Sequence, residues 1–431
     1  MVSGWGRYPF IEATMLNPAS LDEFRQALSR QKHCIARGLG RSYGDSALAN
    51  EMISLRRMDH FIAFDAKNGI LSCEAGVSLS DILKVIVPQG WFLPVTPGTK
   101  YVTFGGAVAS DVHGKNHHIE GCFSEFVQSL TLMLSDGSLC ECSRDNNPAL
   151  FHATCGGMGL TGLILRGTLV LKKMSSAYIH QVMIKADNLD AVFSLFEQNA
   201  ASTYSVAWID CLAKGKTLGR SLFMLGEHSQ EGGYLLPPEK HLTVPLVMPA
   251  TLLNSYSIAA FNALYFHRQR QKEQHRFVHY HPFFYPLDSL LHWNRLYGKK
   301  GFTQYQCVLP KAAGLLGMKE ILKKITLSRR GSFLSVLKSC GPHNQNHLSF
   351  PIEGYSLALD FKIEPELFDL LNELDSIVAE YQGRVYLTKD VRLSEAMFKR
   401  MYPRWEEFLA IRIRYGADQK FHSYQSDRLG L

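Results

Sequence analysis

No run of about 18 or more apolar residues occurs in this chain, so nothing in it reads as a transmembrane helix. Its first residues, Met1-Val2-Ser3-Gly4-Trp5-Gly6-Arg7, lack the apolar stretch of a secretory signal, and the expected compartment is the cytoplasm. Cysteines at CxxC spacing are missing too. The nine that occur are scattered, which in a chain of this size points to reduced, mostly buried thiols, with Cys140 and Cys142 on one side of a strand. Paired ligands at metal spacing are absent, so no zinc site is expected. There is no basic stripe interleaved with stacking aromatics, which argues against nucleic acid as a partner. The nearest approach, Arg268-Gln269-Arg270-Gln271-Lys272, reads as a short exposed face or loop. Internal repeats and low-complexity segments are likewise absent.

What is present is ordinary globular composition, 46% hydrophobic and 20% charged over 431 residues. That length exceeds one simple core, so two domains are expected. The formal charge of +7 is mild. It fits a solvated surface with a slight basic excess, or attraction to an anionic membrane surface or a phosphorylated substrate.

Patterning divides the chain. Residues 1–175 are rich in glycine punctuation and β-branched runs. A helix is expected over 21–30, with Ser20 as N-cap and Glu23 completing a capping box. Strands are expected over 34–37 and 70–75, and a helix over 79–87 capped by Ser78 or Ser80. A hairpin joins 130–134 to 139–142 through Ser135-Asp136-Gly137-Ser138. Residues 176–375 combine apolar strands at 305–309 and 355–361 with amphipathic helices near 311–325 and 365–380. This is the pattern of an antiparallel sheet backed by helices, so the fold class is α+β. Residues 376–431 resume short elements and are expected to return to the first domain.

Four glycine-dense stretches carry the chemistry. The first is Arg37-Gly38-Leu39-Gly40-Arg41-Ser42-Tyr43-Gly44-Asp45, which follows a short strand. Its glycines allow a tight turn, and its successive N–H groups suit a phosphate cradle or a purely structural turn. The spacing GxGxxxG is not a dinucleotide-binding fingerprint, and no Gly-Lys-Ser/Thr follows to make a Walker loop. The second is Pro97-Gly98-Thr99 with Thr103-Phe104-Gly105-Gly106-Ala107. The third, Asp111-Val112-His113-Gly114-Lys115-Asn116-His117-His118, gathers three histidines without a further carboxylate or thiol at metal spacing, and reads as a polar ligand-facing loop. The fourth is Gly156-Gly157-Met158-Gly159-Leu160-Thr161-Gly162. Together they suggest a long, phosphate-bearing ligand lying across loop ends.

In this order the motifs GLGRSYGD, PGT, TFGGA, HGKNHH and GGMGLTG resemble the FAD-binding domain, of the PCMH type, of the vanillyl-alcohol-oxidase-like flavoproteins. Within that superfamily the chain is most similar to the oxidase subunits of decaprenylphosphoryl-ribose 2-epimerases. The similarity extends through Gly4-Trp5-Gly6-Arg7, Ala207-Trp208-Ile209-Asp210, Trp293-Asn294-Arg295, Gln304-Tyr305-Gln306, Gly341-Pro342-His343-Asn344-Gln345, Leu348-Ser349-Phe350-Pro351 and Met401-Tyr402-Pro403-Arg404, in order.

The resemblance implies a two-domain flavoprotein: an FAD-binding domain over 1–175, a substrate-binding domain over 176–375 and a returning segment over 376–431. It implies that Gly38, Leu39, Gly40, Arg41, Ser42, Tyr43 and Gly44 hold the FAD pyrophosphate. Pro97, Gly98, Thr99, Thr103, Gly105, Gly106, Ser110, His113 and Gly114 would line the ribityl chain and flavin. Gly159 and Ile164 would touch the adenine side, and Tyr386 the cofactor and substrate. Many relatives tether the flavin through a histidine where this chain has Arg41, so non-covalent FAD is expected. Lys115, Trp208, Gln306, Lys338 and Tyr386 would bind substrate, and Lys389 and His113 would be catalytic. Each has a plainer reading: Lys389 as a surface partner of Asp390, Lys338 as a solvated strand-end lysine, His113 as packing beside the flavin.

The implied activity is FAD-dependent oxidation of a sugar 2-hydroxyl to a ketone on a polyprenyl-phosphate pentose. A separate NAD(P)H-dependent short-chain reductase would complete the epimerisation for cell-wall biosynthesis, with the protein peripheral at the inner face of the plasma membrane. The alternative is a soluble aldonolactone or alditol oxidase using oxygen. The chain departs from the family at Ala358, Ser356 and Phe284, where some members carry cysteine, asparagine and tyrosine. The aromatic run 277–285 would serve as an apolar approach for the lipid or as ordinary core.

Overall fold

The computed structural model describes residues 1–236 and 241–431. The N-terminal part is built on two sheets. Strand Glu51–Ser54 runs parallel between Thr14–Leu16 and Ile35–Arg37. A second, antiparallel sheet of five strands has the order Phe61–Asp65, Ile70–Glu74, Leu163–Val170, Val127–Met133, Leu139–Ser143.

The helix Leu21–Arg30 forms where Ser20 Oγ accepts the Glu23 N–H at 3.3 Å and buries Phe24, Ala27 and Leu28 at helical spacing. The expected capping box closes one residue early, because the Glu23 carboxylate accepts from the Ala19 N–H at 2.8 Å. The next helix, Leu79–Ile86, takes Ser78 as its cap at 3.1 Å. Eight of the nine cysteines are buried, Cys140 is half-buried, and all are free thiols.

The second part is an eight-stranded, wholly antiparallel sheet. Its order is Glu273–His279, Tyr178–Ala186, Ser221–His228, Tyr204–Ile209, Ser335–Cys340, Gly354–Lys362, Phe302–Pro310, Arg384–Val385. Alternation along these strands splits the sheet chemically. Tyr305, Cys307, Leu309, Leu337, Leu357, Leu359 and Phe361 join one core with the helices Leu189–Gln198, Gly314–Ser328 and Leu367–Glu380. Each fully buried aliphatic there, such as Ile321 or Leu374, contributes ~1.5–3 kcal/mol. The opposite face carries Gln304, Gln306, Ser356, Ala358 and Asp360, and this face builds the candidate site.

The segment after 376 lies against both layers. Arg384–Val385 edges the large sheet, while Phe421 bridges Cys34 and the fully buried Arg412 donates to the Leu160 and Phe421 carbonyls at 3.1 and 2.8 Å. Of the aromatic run, Tyr280, Phe283, Phe284 and Tyr285 are core, packed with Phe92 and Tyr204, while Phe277 and Pro282 are exposed. The run is therefore mainly the core alternative, fixed by burial. Among the described residues no helix is long and apolar enough to cross a membrane.

Candidate active site

Four glycine loops and the C-terminal segment converge at one end of the fold. A Cβ on Gly38 would lie 2.5 Å from Thr103 Oγ1, so the first loop touches the second only because the residue is glycine. Thr103 is held there by capping the helix Phe104–Ala109, accepting the Gly106 N–H at 3.1 Å. Gly105 in turn rests against Ala75, where a Cβ would stand 2.8 Å from the alanine methyl. The Tyr43 N–H donates to the Thr388 carbonyl at 3.1 Å, and Gly44 lies on the Asp390 carbonyl, which brings residues 386–390 onto the first loop. The Tyr386 hydroxyl closes the ring by donating to the Ser110 carbonyl at 2.7 Å.

The sheet face completes the chamber. In register across four strands, Gln306 opposes Ala358, Ala358 opposes Val336 and Val336 opposes Trp208, while Lys338 opposes Ser356 in the next row. Gln306 Nε2 lies 3.0 Å from His113 Nε2 and 3.2 Å from Ser356 Oγ. With the amide donating, the imidazole proton sits on His113 Nδ1, which is buried and has no partner among the described residues. Burial, then the nearby Lys338 charge, holds this ring well below the usual histidine range, so it is neutral. It packs against Phe350 and Tyr386, which stack on each other at 4.6 Å.

Three lysines face this chamber. Lys389 Nζ sits 3.9 Å above the Tyr43 ring. Burial pushes its pKa down to about 7, opposed by Asp360 and assisted by Lys338. Lys115 Nζ donates to the Phe284 carbonyl at 3.3 Å and is also pushed down to about 7, by burial first and Lys338 second. Burial lowers Lys338 as well. The plainer reading of Lys389 fails, because Asp390 is already paired with Arg428 at 2.9 Å and accepts the Arg392 and Leu393 N–H groups.

A family model described as an FAD binding domain matches residues 16–143. The decaprenylphosphoryl-β-D-ribose oxidase of Mycolicibacterium smegmatis is 36% identical over 99% of this chain and 97% of its own length. The chain belongs to that oxidase family. An uncharacterised protein of Streptomyces coelicolor is 29% identical over 82% of this chain and all of its own length. The L-gulonolactone oxidase of Mus musculus is 31% identical over 35% of this chain. The protein is thus an FAD-dependent oxidoreductase of α+β fold.

The chamber fits the cofactor of this family. An added Cβ on Gly98 would meet nothing within 4 Å, so the backbone of the Pro97–Thr99 loop opens directly onto free space. The unpartnered His113 Nδ1 offers a donor on the same side of the fold. Arg41 lies with its guanidinium 4.1 Å over the Trp5 ring. Gly114 is pinned by Thr96 and Asn116, where a Cβ would come within 3.0 and 2.6 Å. Gly159 takes a positive φ of 81° after Met158 at 53°, a turn that favours glycine. Ile164 buries its side chain in the core, so only its backbone is available to a ligand.

Trp208 shares the row of Gln306 but commits its indole N–H to the Phe333 carbonyl at 3.0 Å, which leaves its ring for contact. The three loop histidines diverge. His113 meets Gln306, His117 Nδ1 accepts the Gly341 N–H at 3.1 Å, and His118 Nε2 meets the Ser202 carbonyl at 2.8 Å. Two residues of the site had no role of their own in the motifs. Asp111, wholly buried, accepts from Ser124, Asn344, Asn346 and Ser349 and so ties the third loop to 344–349. Asp360 lies two residues beyond Ala358 on the same face, and strand alternation alone points to it.

Proposed function

We propose that the protein oxidises the 2-hydroxyl of a polyprenyl-phosphate-linked pentose to a ketone, as the first half of an epimerisation completed by a separate NAD(P)H-dependent short-chain reductase. The observation that carries this reading is Lys389, an amine brought to a proton affinity near neutrality beside the first glycine loop. FAD would be held non-covalently, because Arg41 replaces a tethering side chain, and when bound would supply the acceptor for the hydride. Lys389 in its neutral form takes the hydroxyl proton at Nζ. His113 and Gln306 position the reacting sugar through their shared hydrogen bond. Lys338 and Lys115 supply positive charge for the substrate phosphate, Lys338 as a point charge. The stacked Phe350 and Tyr386 rings wall off water, and the small Ala358 leaves room for the sugar ring. The named substrate of the M. smegmatis relative, a decaprenylphosphoryl ribose, fits this distribution of charge. Residues 1–175, 176–375 and 376–431 serve as FAD-binding, substrate-binding and closing segments.

A lipid-linked substrate calls for approach to a membrane from the cytoplasmic side. Helix Ser255–Arg268 exposes Tyr256, Phe261 and Leu264 and runs into the basic Arg268, Arg270 and Lys272, a surface suited to anionic headgroups. The oxygen-using lactone oxidase alternative is weaker, since that likeness covers only 35% of the chain. The test is product identity. After anaerobic single turnover, reduction with borodeuteride should leave deuterium on carbon 2 of the pentose; deuterium elsewhere, or none, would overturn the reading.

A further inference from the structure

Asp360 is the one carboxyl on the polar face of the strand Gly354–Lys362, and it sits between two spaces. On the chamber side, Gln304 Nε2 donates to it at 2.6 Å, the Gln304 amide lies near the Tyr43 hydroxyl, and Lys389 rests on the Tyr43 ring at 3.9 Å. On the other side, Asp360 lines a separate cavity of about 280 Å³ walled by Tyr297, Phe333, Ser255, Arg330 and Lys362. The Tyr297 hydroxyl donates to it there at 3.4 Å. The rim of that cavity carries Glu364, ion-paired with Lys362 and Arg330 at 3.3 Å each, a charged rim suited to water. Yet Asp360 itself is only 1% exposed and pairs with no cation within ion-pair distance among the described residues. A buried carboxyl with no counter-ion is costly unless it titrates.

We infer that Asp360 receives the substrate proton from Lys389 and releases it to solvent through the Tyr297–Phe333 cavity. This rests on the reading of Lys389 under Proposed function. The step balances. The hydroxyl O–H bond breaks and its proton joins neutral Nζ, while the carbon's hydride leaves with its pair to FAD. The two groups lie beyond ion-pair distance, so the ammonium passes one proton through a bridging water to the Asp360 carboxylate, which gives it to water in the cavity, restoring both groups. The energetics suit a relay. Burial raises Asp360 to about 7, eased by Gln304, Lys389 and Tyr297, and burial lowers Lys389 to about 7, so the transfer is nearly level and neither group traps the proton. Asp360 acts through Lys389 and is a relay residue rather than a catalytic one.

Two measurements test this on the FAD-loaded enzyme. Infrared titration reads the carboxyl without any sugar. A protonated-carboxyl band should grow as pH falls through about 7 and be absent in Asp360→Asn. A band that is missing from the wild type, or unchanged in the variant, overturns the relay. Turnover reads the exit. With substrate and an artificial electron acceptor above about pH 8, where Lys389 is neutral with or without the Asp360 charge, Asp360→Asn should still bleach its flavin in the first turnover. It should then slow at least about tenfold in steady state and recover partly with imidazole as a proton carrier. Ser255→Trp plugs the cavity while keeping Asp360, and should slow steady state in the same way. Wild-type steady-state rates in both variants overturn the relay. If the wild-type flavin fails to bleach with the phosphopolyprenyl pentose, the substrate reading fails instead, and the infrared result still decides the relay.

Discussion

Lys389→Ala is the perturbation that reaches furthest into the chemistry. The amine lies over Tyr43, and burial brings it to about 7 from the ordinary lysine value of 10.5. A base of that proton affinity is neutral in about half the molecules at pH 7, about a tenth at pH 6 and about nine-tenths at pH 8. The sign follows: hydride transfer by the native enzyme should rise about tenfold per pH unit below 7 and level off near 8. Removing the amine should slow hydride transfer by a factor on the order of 10² to 10⁴, which at 1.36 kcal/mol per tenfold is about 2.7 to 5.4 kcal/mol of transition-state stabilisation. The pH limb should vanish with it. Lys389→Arg should fare little better, since guanidinium stays protonated and presents a different fork of donors. The assay is anaerobic stopped-flow bleaching of bound flavin, with FAD content and melting temperature measured alongside. A folded, FAD-loaded Lys389→Ala that bleaches at the native rate with the same pH limb would refute the argument.

Acid precipitation should release yellow flavin into the supernatant, because Arg41 offers no tether; colour in the pellet would contradict this. Lys389→Met should also stabilise the fold. The native pKa is depressed, so the unfolded chain binds more protons between about 7 and 10.5, and the native amine costs stability below that window. The urea midpoint of the variant should exceed that of the wild type at pH 7, and the gap should narrow toward about pH 10. Asp111→Ala leaves Ser124, Asn344, Asn346 and Ser349 without their shared acceptor, and should cost about 3–5 kcal/mol by denaturant unfolding. The protein should sediment with anionic vesicles at low salt and leave them at high salt, and Leu264→Asp, on the exposed helix face, should weaken that binding.

Much of the fold was legible because it rests on local signals. The Ser78 cap, the 135–138 turn and the helices near 311–325 and 365–380 follow from capping chemistry and periodicity. The glycine loops were legible because close backbone approach demands glycine, as Gly38 against Thr103 and Gly105 against Ala75 demonstrate. Lys389 and Gln306 came from motif resemblance, and the structure adds why a lysine there can be neutral, which sequence cannot carry because desolvation depends on neighbours far along the chain. The roles of Asp111 and Asp360 were not legible for the same reason. Their partners lie between 13 and 238 residues away for Asp111, and 56 and 63 away for Asp360. The aromatic run 277–285 read equally as a lipid approach or as ordinary core, and Tyr280, Phe283 and Phe284 are core because Phe92 and Tyr204 meet them from other elements. The exposed apolar surface lies instead on helix Ser255–Arg268, whose polar and apolar residues show little segregation in sequence.

The central claim is that the FAD of this protein is reduced by a lipid-linked sugar. The direct measurement is anaerobic flavin absorbance after mixing with a phosphopolyprenyl pentose, the free pentose, its 5-phosphate, an alditol and an aldonolactone. The account predicts rapid bleaching by the phosphopolyprenyl pentose, faster at pH 8 than at pH 6, and little by the others. Bleaching by the alditol or the aldonolactone with none by the lipid-linked sugar would contradict it.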